Sequence, residues 1–170
     1  MDIPDPDAHA VASFKKFYTL LPRGNDLSLL ILKLHLLVEE QIRAFVDERL
    51  PNKEALISAT LECHQAICLA EALSNANIHS NVWEAAKKLN SLRNHIAHNL
   101  DLKGVVDRMN HISGLIGVPK VMLHIEGKSP EEAAVENFSF GVSMLYNEVS
   151  LYVKRKPAAV LSIVRASNEG

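Results

Sequence analysis

The sequence predicts an all-α protein, a single-domain helical bundle of about five to six helices. Apolar residues recur at three- and four-residue spacing through most of the chain, which is the period of a helix that buries one face. Pro22, Pro51 and Pro157 fall at the ends of such segments, where helices stop. Only one short stretch, Val121 to Ile125, has a pattern a strand would accept. The chain has 170 residues, 48% of them apolar and 22% charged, enough for one domain with a sizeable core and too few for two.

Residues 1–7 read as an N-terminal arm, broken by two prolines. The helical domain covers 8–156, and 157–170 is a tail or one more short helix. The first helix spaces Val11, Phe14, Phe17 and Leu21 along one face and ends before Pro22, with Arg23-Gly24-Asn25 as the turn. Asn25 or Asp26 then caps a long second helix that runs to about Leu50. Its buried side is Leu27, Leu30, Ile31, Leu34, Leu37, Val38, Ile42, Phe45 and Val46, opposite Lys33, Glu40, Arg43 and Asp47. It is the core helix.

Asn52 is expected to cap a third helix running through to Leu73. Its stripe of Leu56, Ala59, Cys63, Ala66, Ile67 and Ala70 is mostly small, which lets it lie close against the second. A fourth helix starts at Ser80 or Asn81, with Glu84 placed for a capping box. Trp83, Ala86, Leu89, Leu92, Ile96 and Leu100 form its apolar side, and Lys87, Asn90, Asn94 and His98 its polar side. A shorter fifth helix ends at Gly117. A short hairpin is expected within 119–127. Ser129-Pro130-Glu131-Glu132 starts the last long helix with an N-cap, a first-turn Pro and a capping Glu. Val135, Phe138, Val142, Leu145, Val149 and Tyr152 form its stripe, and Lys154-Arg155-Lys156-Pro157 ends it.

The formal charge of -2 argues against a protein that coats nucleic acid non-specifically, since that requires many Lys and Arg against phosphates. A site acting on a few phosphates remains compatible with it. Cys63 and Cys68 match neither a metal knuckle nor a redox pair and read as buried thiols of a reducing compartment. The acidic, proline-broken start does not resemble a signal peptide, and the apolar run Leu27 to Val38 is too short and too polar to span a bilayer. A cytoplasmic protein without membrane contact is expected. No phosphate-binding glycine loop, serine nucleophile motif or paired-carboxylate signature is visible, and no cofactor is expected.

The stretch Ser91 to Leu100 concentrates the chemistry: S-L-R-N-H-I-A-H-N-L holds an arginine, an asparagine and two histidines within six residues. A guanidinium grips phosphate through paired hydrogen bonds and stabilises charge that builds up in a transition state. Histidine exchanges protons near neutral pH with an attacking hydroxyl or a leaving oxygen. Such a set suits phosphodiester cleavage. Arg93 and His98 lie about 140° apart around a straight helix axis, so they converge only if the helix loosens, Arg93 bends back or a second subunit completes the site. Asn94 and His98, at i and i+4, share a face.

The R-N-x-x-x-H pattern of Arg93, Asn94 and His98 resembles the signature of the HEPN superfamily of small all-α proteins. The leucine-rich early helix with its Glu pair, L-L-I-L-K-L-H-L-L-V-E-E, the small-residue helix and the motif on a following helix extend that resemblance from about Leu27 to His111. It implies a homodimer with two motifs facing each other in a cleft, and a metal-independent endoribonuclease in which an RNA 2′-hydroxyl attacks the adjacent phosphate. Carried over by position, Arg93 holds the phosphate, His98 transfers protons and Asn94 orients substrate or His98. His95, Asn90 and Lys87 then belong to the substrate-binding surroundings. The family includes toxins of toxin–antitoxin pairs, phage-defence RNases and non-catalytic regulators or scaffolds, so an antitoxin or regulatory protein is an alternative partner. Where some toxin members carry a modifiable tyrosine two residues after the motif His, this chain has Leu100. The general pattern is also similar to helical regulators of the mannitol operon repressor type.

Three other readings use the same residues. Arg93, Asn94 and His98 also suit a polar helix end, where side chains meet loose carbonyls and cations oppose the helix dipole. His95 and His98 could supply half of a metal site completed by His111 or Glu62. Lys154 to Lys156 could contact RNA, although a helix C-terminus favours such charges anyway.

Overall fold

A computed structural model of the chain describes residues 8–24, 26–74, 78, 80–99, 102–118 and 127–154. Among these residues the fold is all-α. Six α-helices, α1 (Ala8–Leu20), α2 (Leu27–Asp47), α3 (Cys63–Leu73), α4 (Ser80–His98), α5 (Val105–Ile116) and α6 (Pro130–Lys154), are joined by a 3-10 helix at Lys53–Ala59. The N-terminal arm, the hairpin expected within 119–127 (apart from Gly127) and the tail beyond Lys154 lie outside the described residues.

Several helix ends follow the expected local chemistry. Asp26 caps α2, its carboxylate accepting from the Leu29 amide at 2.9 Å. At the start of α6, Ser129 and Glu132 exchange side-chain to backbone bonds of 3.2 and 2.8 Å, a reciprocal capping box. Gly117 terminates α5 in a left-handed conformation, φ 80°, that costs glycine little.

The expected third helix is two elements. Residues 53–59 wind as a 3-10 turn with no side-chain cap from Asn52, Thr60 turns left-handed at φ 42°, and α3 begins only at Cys63. Glu62 and Gln65 supply α3 with its own capping box, which competes locally with continuation of the upstream helix. The helical stripe therefore breaks. Ala66, Ile67 and Ala70 are buried, whereas Leu56 is half-buried and Ala59 exposed.

Helix α6 packs against α1, α2, α4 and α5, and α2 also against α3 and α4. Phe45 of α2 meets Trp83 of α4 edge-on at 5.2 Å, and Phe17 of α1 meets Tyr146 of α6 at 5.3 Å. The Trp83 indole also donates to Ser74 at 3.2 Å, satisfying the one polar atom of a buried ring. This core fixes α2, α3 and α4 against one another, and the candidate site lies where they meet. Among the described residues no helix is long and apolar enough to cross a membrane.

Candidate functional site

Helix α4 stays regular through His98, so the arginine and the histidine of the motif remain on different sides of it. Arg93 is half-buried and donates from Nη1 to Asn94 Oδ1 at 3.1 Å, while its Nε is buried with no hydrogen-bond partner. Asn94 is exposed. His98 is exposed at the last residue of the helix. His95 is half-buried: Asn99 Nδ2 lies 3.3 Å from its Nδ1 and donates to its carbonyl at 2.7 Å, and its Nε2 is buried without a partner.

Two residues expected to face substrate are engaged inside the fold. Asn90 is 8% exposed, and its Oδ1 lies 3.0 Å from His35 Nε2 on α2. Lys87 donates to Glu71 of α3 at 2.6 Å, and this bond raises the lysine's pKa above its ordinary value. Both read as polar-face residues because helical period places them beside Asn94. What it could not show is that α2 and α3 approach that side of α4.

A pocket of about 320 Å³ opens at this junction, lined by His35, Glu39, Glu62, Cys63, His64, Asn90, Arg93 and Asn94. Arg93, Asn94 and Asn90 are thus brought together, whereas His95, His98 and Lys87 do not line it. The grouping of His95 and His98 with His111 or Glu62 does not form among the described residues. Three other potential ligands, His35, Glu39 and Cys63, do converge, each offering a donor atom within 4.8 Å of the others.

The sequence reading missed these three as a site. One signal was available: His35 interrupts the apolar stripe of α2, and Glu39 follows it by one turn on the same side. Arg43, one turn further, donates twice to Glu39 Oε1, at 2.6 and 2.9 Å, and once to the Leu61 carbonyl at 2.9 Å. Glu39 Oε2 is left 3.7 Å from His35 Nδ1.

Burial dominates the electrostatics. It lowers the His35 pKa against the opposing pull of the Glu39 carboxylate, and it pushes the Cys63 thiol up to about 12, with the Glu39 charge adding to the effect. Cys63 Sγ lies 3.4 Å from His35 Nε2. Cys68, expected to be buried, is exposed, with its sulfur 3.6 Å from His64 Nε2.

Chemically, the pocket combines a guanidinium with one unsatisfied N–H, an exposed amide and a nitrogen, oxygen and sulfur donor set. No protein-family model, curated protein or solved structure matches the chain.

Proposed function

We propose that the protein is a metal-independent, HEPN-type endoribonuclease that works as a homodimer, the toxin of a toxin–antitoxin pair or a phage-defence component. The observation that carries this reading is the buried, unpartnered Nε of Arg93 at the edge of a pocket. An arginine N–H withheld from both water and protein acceptors is costly, and a phosphate oxygen is the acceptor it matches best. In this scheme Arg93 and Asn94 hold the phosphate, and His98 takes the proton of the attacking 2′-hydroxyl or protonates the leaving 5′-oxygen, giving a cyclic phosphate end. Because His98 lies on another side of α4, the scheme assigns it to the cleft formed when a second copy brings its own motif opposite. Cleavage of RNA that is lost in both Arg93→Ala and His98→Ala proteins of unchanged helicity supports the reading, and activity that survives both changes refutes it.

A second reading, a non-catalytic HEPN-like regulator or scaffold, draws on the engagement of Asn90 and Lys87 within the fold and on the net charge of -2. These leave few groups to hold RNA. A purified protein that binds no RNA at moderate salt yet binds a protein partner favours this account.

A further inference from the structure

We propose that His35, Glu39 and Cys63 form a three-ligand site for a borderline-soft divalent cation, Zn²⁺ foremost, with its fourth position open to the pocket bordered by Arg93 and Asn94. The sequence reading expected no metal.

The first support is His35 itself. The ring is 4% exposed, and its Nδ1 is buried with no hydrogen-bond partner. Asn90 Oδ1 can only accept, so the 3.0 Å contact favours the tautomer in which His35 Nε2 carries the proton and the lone pair is on Nδ1. That lone pair looks toward Glu39 Oε2, 3.7 Å away. Two electron-rich atoms face each other across a gap that a cation would satisfy from both sides. A metal-binding histidine ordinarily donates its other ring N–H to a fixed acceptor, and Asn90 fills that place.

The second support is the supporting structure. Arg43 occupies Glu39 Oε1 and leaves Oε2 available. His35 and Glu39 sit one turn apart on α2, and Cys63 opens α3, so rigid helices present all three groups. A His35 ring nitrogen, a Glu39 oxygen and the Cys63 sulfur lie within 4.8 Å of one another, and because Cys63 Sγ rests 3.4 Å from Nε2, binding at Nδ1 requires the Cys63 side chain to turn toward Glu39. Ligand atoms around tetrahedral zinc stand about 3.3 to 3.7 Å apart, as bond lengths of about 2.0 to 2.3 Å require, a contraction within reach of side-chain rotation.

The third support is the donor chemistry. Imidazole nitrogen, carboxylate oxygen and thiolate sulfur together select zinc-like ions over Mg²⁺ or Ca²⁺, which require oxygen. On binding, the Cys63 S–H bond gives way to a sulfur–metal bond and the proton leaves to solvent. The thiolate and the Glu39 carboxylate, the latter shared with Arg43, then face the metal's two charges.

The test is titration of the full chain with Co²⁺, after chelator treatment and in the presence of a non-thiol reductant. One equivalent should bind with a thiolate-to-cobalt charge-transfer band that Zn²⁺ displaces. Cys63→Ser should abolish the band, Glu39→Gln should weaken affinity by about tenfold or more, and Cys68→Ser should leave the band in place, each with helicity unchanged. His98→Ala should titrate like wild type, so this site stands or falls apart from the ribonuclease reading. Absence of the band in wild type overturns the proposal. So does a band that survives Cys63→Ser and disappears with Cys68→Ser, which would place the metal on the exposed Cys68–His64 pair, and so does undiminished affinity in Glu39→Gln.

Discussion

Asn90 of α4 accepts a hydrogen bond from His35 of α2 at 3.0 Å, and both side chains are buried. The bond ties the helix that carries the R-N-x-x-x-H motif to the core helix, one turn before Arg93. It gives Asn90 a structural task where its place beside the motif suggested a substrate contact.

Asn90→Ala should therefore destabilise the protein by about 1 to 3 kcal/mol, the cost of leaving the buried His35 N–H with only the weakly accepting Cys63 sulfur, 3.4 Å away. Urea denaturation measures this directly. A change below about 0.5 kcal/mol, as at ordinary surface sites, would show that the bond does not hold the two helices together.

Thr60 should respond in the opposite direction. A β-branched residue in the left-handed region carries about 1 to 2 kcal/mol of strain, against which glycine's extra chain entropy is worth about 0.5 to 1 kcal/mol. Thr60→Gly should raise stability by up to about 1.5 kcal/mol. A clear loss of stability would mean that the break between the 3-10 turn and α3 is not conformationally strained.

Lys87→Ala should matter little. Its ion pair with Glu71 links α3 and α4 at a partly exposed position, and such pairs contribute about 1 kcal/mol or less. If the ribonuclease reading holds, RNA affinity should fall much less with Lys87→Ala than with Arg93→Ala. An equal or larger fall, read by fluorescence anisotropy at fixed salt, would return Lys87 to the substrate surface.

Ser129→Ala should cost about 1 kcal/mol, because it removes the hydroxyl that accepts from the Glu132 amide at the start of α6. Thermal unfolding reads the loss, and an unchanged midpoint would indicate that the first turn of α6 is held by packing alone.

The elements legible in the sequence were those written in local chemistry. Asp26, the Ser129–Glu132 box and Gly117 each act within one turn of their own position, so spacing revealed them. The break at Thr60 was hidden because its neighbours continue a helical stripe, and only the Glu62–Gln65 box, itself local, signals a new start. At the site, Arg93 and Asn94 were found as members of a pattern. His35, Glu39 and Cys63 were not, since they come from two helices whose approach is a tertiary fact. The same limit applies to Asn90 and Lys87, whose partners lie 55 and 16 residues away.

Incubation of a mixed RNA pool in EDTA with wild-type and His98→Ala proteins, followed by analysis of the new ends, tests the central claim most directly. The account predicts metal-free cleavage by the wild type, cyclic phosphate at the new ends, and loss of cleavage in His98→Ala. Cleavage that persists in His98→Ala, or that wild type performs only when a divalent cation is restored, would contradict it.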